Sequence, residues 1–347
     1  MNVLIIGGTG LISTAITRQL LERGDSVTLF NRGRTESRVP AAARQVHGER
    51  RDYARFVARM RELERFDCVI EMICFTPQDA ESLIAALRGR AGHVIFCSTV
   101  DVYAKPAGRY PITEDEPHKP ASAYGRDKSR CERLLLHAHE RGDFPVTVIR
   151  PAQTYGEGGS LIHTFGWSTA FLDRLRKGKR VVVHGDGTSL WCACHVDDCA
   201  RAFVAAAGRQ RAFGRAYHAT GEEWLTWNRY HECIAEAMGW PRPALVHIPT
   251  DLLLSALPRR AAVVAENFQF NNVFDNAAAR GDLDFRYTIP FAEGARRTVL
   301  WLDSKGWIVD SETEPYYDRL LAAWDRLGAG FVGEARSLER EDTIRAG

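Results

Sequence analysis

An α/β fold is predicted for this chain: a Rossmann-like, doubly wound parallel sheet followed by a smaller α+β region. Three observations predict it. Short apolar runs of strand length alternate with helix-length amphipathic segments through residues 1–155. The first run, Val3-Leu4-Ile5-Ile6, enters the glycine turn Gly7-Gly8-Thr9-Gly10 directly. A helix and a second strand, Ser26 to Asn31, follow that turn.

Bulk properties exclude several classes. The 347 residues suffice for a sizeable core, with 45% hydrophobic and 26% charged residues. A net charge of +2 gives no pull toward nucleic acid or a membrane surface. No apolar run reaches membrane-spanning length, and Met1 leads into a strand rather than a signal peptide. The eight cysteines are scattered, several in apolar runs, which fits reduced core thiols of a cytoplasmic protein. Cys192-Ala193-Cys194-His195 is too tightly spaced for a chelate and reads as strand, so no metal site is expected.

The elements follow in order. Leu11, Ile12, Ala15, Ile16 and Leu20 line one side of the first helix, which Gly24 stops. The strand, glycine turn, helix and strand together form the context a dinucleotide fingerprint requires. Glycines let backbone N–H groups approach a pyrophosphate at the helix start. Ser13 stands where a third glycine is common, a mild departure. The second strand ends in Asn31-Arg32-Gly33-Arg34, without the acid that accepts from an NAD ribose. Arg32 and Arg34 would welcome a 2′-phosphate, so NADP is the preferred cofactor with NAD as the alternative. Glu49, after a third strand near residues 45–48, is placed to reach the adenine edge or is an exposed loop acid.

Further strands are expected at residues 68–73, 93–98 and 146–150, with helices at 53–64, 77–88 and 123–140. Glu71, inside an apolar strand, needs a partner or lies at the strand mouth. Residues 104–121 form a surface loop long enough to cover a site. Later elements are a helix at 165–177, a strand at 181–184, a helix to 207 capped by Asp197, and a strand at 217–220. A helix at 227–238, a strand at 245–248, two helices within 275–301 and one at 315–327 follow. Residues 1–155 are read as the dinucleotide-binding domain, completed by 196–220. Residues 156–195 and 221–327 form the substrate-binding region, and 328–347 a loose tail.

The chemistry concentrates between residues 99 and 128. Thr99 stands at the end of a buried strand. Tyr124 and Lys128, four apart at a helix start, share a face. A cation beside a phenol favours the phenolate and lowers a pKa that starts near ~10, which makes a base. A neighbouring hydroxyl can hold the substrate oxygen whose proton moves. The bland alternative is a packed Tyr with a solvated Lys.

With GGTGLIS, CSTVDVY, YGRDK, RPAQTYG and HVDDCARAF in this order, residues 2–305 resemble the extended short-chain dehydrogenase/reductases, the NAD(P)-dependent epimerase/dehydratase group. The resemblance implies that Tyr124, Lys128 and Thr99 are catalytic, with Ser98 a weaker hydroxyl candidate. Tyr124 would exchange a proton with a substrate hydroxyl while hydride moves at the same carbon. Lys128 would hold the nicotinamide ribose. The cofactor is expected against Gly7, Gly10, Leu11, Ile12, Asn31, Arg32, Arg34, Glu49, Ile73, Ser98, Tyr124, Lys128 and Pro151. A nucleotide-sugar or sugar epimerase or oxidoreductase is implied, commonly a homodimer, with Leu134, Leu135 and Leu136 serving either such a surface or the core.

Departures from the pattern narrow this. Val100-Asp101 replaces the Asp-Glu pair of the dehydratases, so Asp101 is the one acid available and elimination is less favoured. Gln153 replaces an Asn in the substrate pocket. No arginine lies between Arg180 and Arg201 to hold a substrate pyrophosphate; Trp191 stands there, to stack on a ligand or simply to pack. That opens an alternative: a reductase or dehydratase of a small natural-product intermediate. The Asn-Arg-Gly strand end and Gly185-Asp186-Gly187-Thr188-Ser189-Leu190-Trp191 also resemble the branch holding chloroplast stem-loop RNA-binding proteins. A non-catalytic NADP- or RNA-binding protein is therefore a further alternative, against which the retained Tyr-Lys pair argues.

Overall fold

The computed structural model describes residues 1–34 and 38–346, and for 341–346 the backbone only. Three helix-flanked layers organise the N-terminal part. Its strands are β1 (Asn2–Ile6), β2 (Ser26–Asn31), β3 (Arg44–His47), β4 (Cys68–Glu71), β5 (Val94–Cys97) and β6 (Val146–Pro151). Its helices are α1 (Leu11–Glu22), α2 (Tyr53–Glu62), α3 (Pro77–Leu87) and α4 (Ala123–Glu140). Next come β7 (Gln153–Tyr155), α5 (Ala170–Arg176), β8 (Val181–His184), β9 (Leu190–His195), α6 (Val196–Ala206) and β10 (Arg215–Ala219). The chain ends with β11 (Trp224–Thr226), α7 (Trp227–Met238), β12 (Leu245–Ile248), α8 (Thr250–Ala256), α9 (Ala277–Leu283), α10 (Phe291–Ser304) and α11 (Pro315–Ala346).

Seven strands make one parallel sheet in the order β10-β6-β5-β4-β1-β2-β3. The two-residue period of a strand splits β1 between two cores. Val3 and Ile5 pack with Ile16 and Leu20 of α1 and Phe203 of α6. Leu4 and Ile6 pack with Phe56 of α2, Leu83 of α3 and Leu135 of α4. Leu135 is therefore core, and Leu134 and Leu136 are half-buried against it, so these leucines do not form an apolar outer surface. The order reverses at β1, and a crevice opens beyond the carboxyl ends of β1 and β4.

A third core joins Phe171, Val182, Trp191, Trp227, Phe268, Phe291, Val299 and Tyr317. It carries two small sheets, β11-β9-β7 and β12-β8. No helix among the described residues is long and apolar enough to cross a membrane.

Several boundaries differ from the sequence expectation for local reasons. The helix expected from residue 165 begins at Ala170, because His163 and Gly166 close a tight turn with Gly166 at φ +89°. His195, not Asp197, caps α6: its Nδ1 accepts from the Asp197 N–H at 3.2 Å. Asp197 lies in the first turn and pairs with Arg18 at 2.7 Å and Arg297 at 2.9 Å. The expected loose tail continues α11 as helix to Ala346. Its Ala, Leu, Glu and Arg residues favour helix locally, and turns packed through Tyr317 and Leu321 remove the nucleation cost. Leu327, Phe331 and Leu338 remain exposed, which is why no core-facing period was visible.

Candidate active site

The glycine turn builds the first wall of the crevice. Gly7 has φ +89°, and a Cβ there would lie 2.5 Å from Ile73 Cγ2. Gly8 would strike Leu29 at 2.7 Å. Ser13 is buried; its hydroxyl accepts from Gly10 N–H at 2.8 Å and donates to Gly10 O at 3.3 Å, so it closes the turn that a third glycine usually closes. Gly10 caps α1 without a side-chain hydrogen bond, which leaves the helix start open to an anion.

Two cavities run from this turn. One, of about 490 Å³, is lined by Gly7, Gly10, Asn31, Arg32, Arg34, Glu49 and Ile73 among others. The exposed Arg32 and Arg34 make no ion pair with another described residue, while Glu49 is also exposed. The Asn31 side chain is engaged in the fold: it accepts from Gly33 N–H at 2.8 Å and donates to Gln45 at 2.7 Å. Arg50, beside this cavity, is the partner that Glu71 required, at 3.2 Å in a buried pair. The second cavity, about 390 Å³, is lined by Gly7, Leu11, Ile12, Ile73, Ser98, Thr99, Tyr124, Lys128 and Pro151.

Ser98, Thr99, Tyr124 and Lys128 come together through a few local contacts. Ser122 caps α4 and accepts from Gly125 N–H at 2.9 Å. A Cβ on Gly125 would lie 2.3 Å from the Asp101 carbonyl, so glycine alone lets the start of α4 press against the turn after β5. Sequence reasoning missed Gly125; its place inside the Tyr-Gly-Arg-Asp-Lys run was the available signal. Thr99 accepts from Asp101 N–H at 3.1 Å and hydrogen-bonds Tyr124. Ser98 donates to buried Glu132, which sits one helical turn beyond Lys128 and also pairs with Arg150 at 2.7 Å. The Ser98 hydroxyl is thus spent on the framework.

Lys128 is 1% exposed and donates to the carbonyls of Cys74 at 2.9 Å and Cys97 at 2.5 Å. Those carbonyls hold the ammonium in a fixed place against Phe96. The expected lowering of the Tyr124 phenol is not what this arrangement produces. Burial of the phenol in the crevice pushes its pKa above the ordinary value, Cys97 and Asp101 add to this, and the Thr99 hydrogen bond opposes them. A phenol kept protonated is suited to give a proton to a carbonyl oxygen.

Beyond Thr99 and Tyr124 opens a third cavity, about 470 Å³, which also takes in Asp101, Gln153 and Trp191. Burial raises the Asp101 carboxyl, with Lys105 opposing; Asn267 donates to it at 2.9 Å. Lys105, which sequence reasoning missed, is pushed down to about 8 by burial against the pull of Asp101, and donates to Asn272. Its position in a presumed surface loop hid it. The Gln153 Oε1 is buried without a hydrogen-bond partner. Trp191 is wall rather than stacking platform: it is 4% exposed, with Trp227 and Phe268 ring centroids 5.0 and 4.9 Å away. Among the described residues, no arginine lines this cavity.

A dinucleotide crevice at the switch point of a parallel sheet, ending at a Tyr-Lys-Thr group, defines an NAD(P)-dependent oxidoreductase-type fold. The model of the NAD-dependent epimerase/dehydratase family matches residues 3–219, and the chain belongs to that family. It is 29% identical over 320 residues to 2'-dehydrokanamycin reductase of Streptomyces kanamyceticus, covering 90% of this chain and 87% of that one. It is 31% identical to UDP-glucose 4-epimerase of Mycolicibacterium smegmatis, over 69% and 70% of the two chains. The 41 kDa chloroplast stem-loop binding protein b of Arabidopsis thaliana is 29% identical over 71% of this chain and 65% of its own. A solved structure of UDP-glucose 4-epimerase with UDP-glucose from Thermotoga maritima shares the fold, with a TM-score of 0.72 at 22% identity, covering 88% of this chain and 99% of that one. The chain is an NAD(P)-dependent epimerase or oxidoreductase of the extended short-chain dehydrogenase/reductase type.

The Gly7 cradle has a direct test. Gly7→Val adds a branched side chain at φ +89° and against Ile73, and is expected to weaken NADP⁺ binding about tenfold or more in a fluorescence titration, with the circular dichroism spectrum unchanged.

Proposed function

We propose that this protein is an NADP-dependent oxidoreductase that reduces a carbonyl, or oxidises the matching carbinol, on a sugar-like small molecule carrying no nucleotide diphosphate. The observation that carries this reading is the composition of the third cavity: it meets Thr99 and Tyr124, yet no arginine in its wall could hold a pyrophosphate. The likeness to a 2'-dehydrokanamycin reductase along 90% of the chain supports reduction over epimerisation of a nucleotide sugar.

The residues would act as follows. The bound nicotinamide supplies or accepts the hydride. Thr99 hydrogen-bonds the reacting oxygen, and Tyr124 gives it a proton through its phenol, or takes one in the reverse direction. Lys128, anchored on two carbonyls beside the crevice, holds the ribose and places a positive charge near the phenolate that forms. Asp101 and Lys105 orient the substrate ring.

NADP is favoured over NAD because Arg32 and Arg34 follow the end of β2, where an NAD site places an acid, and neither makes an ion pair with another described residue. Incubation with 2'-dehydrokanamycin and 4-deuterated NADPH is expected to place one deuterium on the reduced carbon. NADPH is expected to exceed NADH about tenfold or more in kcat/KM, and Arg32→Glu to erase that ratio. Tight NADP⁺ binding with no deuterium transfer to this or any ketosugar would sink the reductase reading and favour a cofactor-binding regulator.

A further inference from the structure

The cavity beyond Thr99 has a charge pattern suited to a cation. Its lining holds two carboxylates, Asp101 and Glu266, and one ammonium, Lys105. Asp101 and Lys105 act on one another electrostatically within the wall, each favouring the charged form of the other. Asn267 and Asn272 hold these two side chains by hydrogen bonds, and Asn272 Nδ2 donates to Asn267 Oδ1 at 3.0 Å. The Lys105 ammonium is thus held within the wall by Asn272 and has the Asp101 carboxyl acting against its charge.

Glu266 is left over. It is exposed and has no ion-pair or hydrogen-bond partner among the described residues. It sits on the π-helical turn Val264–Phe268, between α8 and α9, a wide turn of a kind frequent at functional sites. The same wall offers the ring of Trp167, 65% exposed, as a face for a cation. Two further buried polar atoms belong to residues of this lining. Trp191 is 4% exposed and its Nε1 has no acceptor among the described residues; Gln153 Oε1 is buried with no donor among them. A buried N–H and a buried carbonyl without partners suit a polyhydroxylated ring that supplies both kinds of hydrogen bond.

We propose that Glu266 and Trp167 bind a protonated amine of the substrate, and that the cavity takes a cationic amino sugar or a related aminated ring. This rests on the cavity being the substrate site of the hydride-transfer reading, and it goes beyond that reading by naming the substrate's charge and the residue that selects it.

Binding, measured apart from turnover, tests it. The probes are the β-1,4 disaccharide of glucosamine and cellobiose, which has the same skeleton with hydroxyls in place of the amines. Each is titrated calorimetrically into the full chain saturated with NADP⁺. The diamine is expected to bind at least about tenfold more tightly than cellobiose, with the advantage shrinking as salt is added. Glu266→Gln is expected to erase the advantage while cellobiose and NADP⁺ affinities stay unchanged, which excludes misfolding as the cause. Equal binding, no binding of either sugar, a preference that survives Glu266→Gln, or tighter binding of UDP-glucose would each overturn the proposal. A failure of hydride transfer would leave these affinities untouched, so the two readings fail separately.

Discussion

Tyr124→Phe is expected to lower turnover about a thousandfold while NADP⁺ affinity stays within about twofold of the parent. The substitution removes one oxygen from a ring that lines both the second and the third cavities. The crevice raises the phenol pKa, and in the proposed reaction the protonated phenol is the proton donor, so its loss is expected to strike the reaction rather than the fold. Tyr124 is 43% exposed and supports no core, so thermal stability should not change. Thr99 would remain to hydrogen-bond the substrate oxygen, which accounts for residual activity above background. Single-turnover reduction followed at 340 nm separates the loss of chemistry from a loss of binding. Turnover within about tenfold of the parent would show that another group moves the proton.

Arg150→Met is expected to cost about 3–5 kcal/mol of stability. Arg150 is 4% exposed and Glu132 1% exposed. Two guanidinium N–H groups donate to Glu132 at 3.1 and 2.7 Å, and another donates to the Tyr103 hydroxyl at 2.6 Å. Burial disfavours the guanidinium charge, but Glu132 more than offsets it and the side chain stays ionised. Truncation strands a buried carboxylate that also holds Ser98, the residue before Thr99. The melting temperature should fall by roughly 10 °C, measured by differential scanning calorimetry. The double variant Glu132→Gln/Arg150→Met should recover part of that loss, because no charge is then left unpaired. A double variant less stable than Arg150→Met alone would show that the pair contributes more than mutual neutralisation.

The α/β class and most of the first six strands were legible because, β3 (Arg44–His47) excepted, each is built on an apolar run of strand length. The glycine turn was legible because Gly7, Gly8 and Gly10 act within a few residues of one another. Tyr124 and Lys128 share a helix face by spacing alone. What failed to show was whatever depends on distant chain. Lys105 and Glu266 look like loop charges until residues 267 and 272 come back against residues 101 and 105. Gly125 matters only because the Asp101 carbonyl lies against it. The helical continuation of α11 escaped notice because its far end follows local propensity and faces no core.

By itself, then, the amino-acid sequence determined the parallel sheet, the dinucleotide turn and the spacing of the Tyr-Lys pair, since each arises from neighbours along the chain. Tertiary structure alone decided the electrostatics. It set the Tyr124 phenol in a crevice that raises its pKa, placed Lys128 on the carbonyls of Cys74 and Cys97, and left Glu266 without a partner among the described residues. Burial and charge pairing act through space between segments up to ~170 residues apart, and one-dimensional spacing carries no record of that proximity.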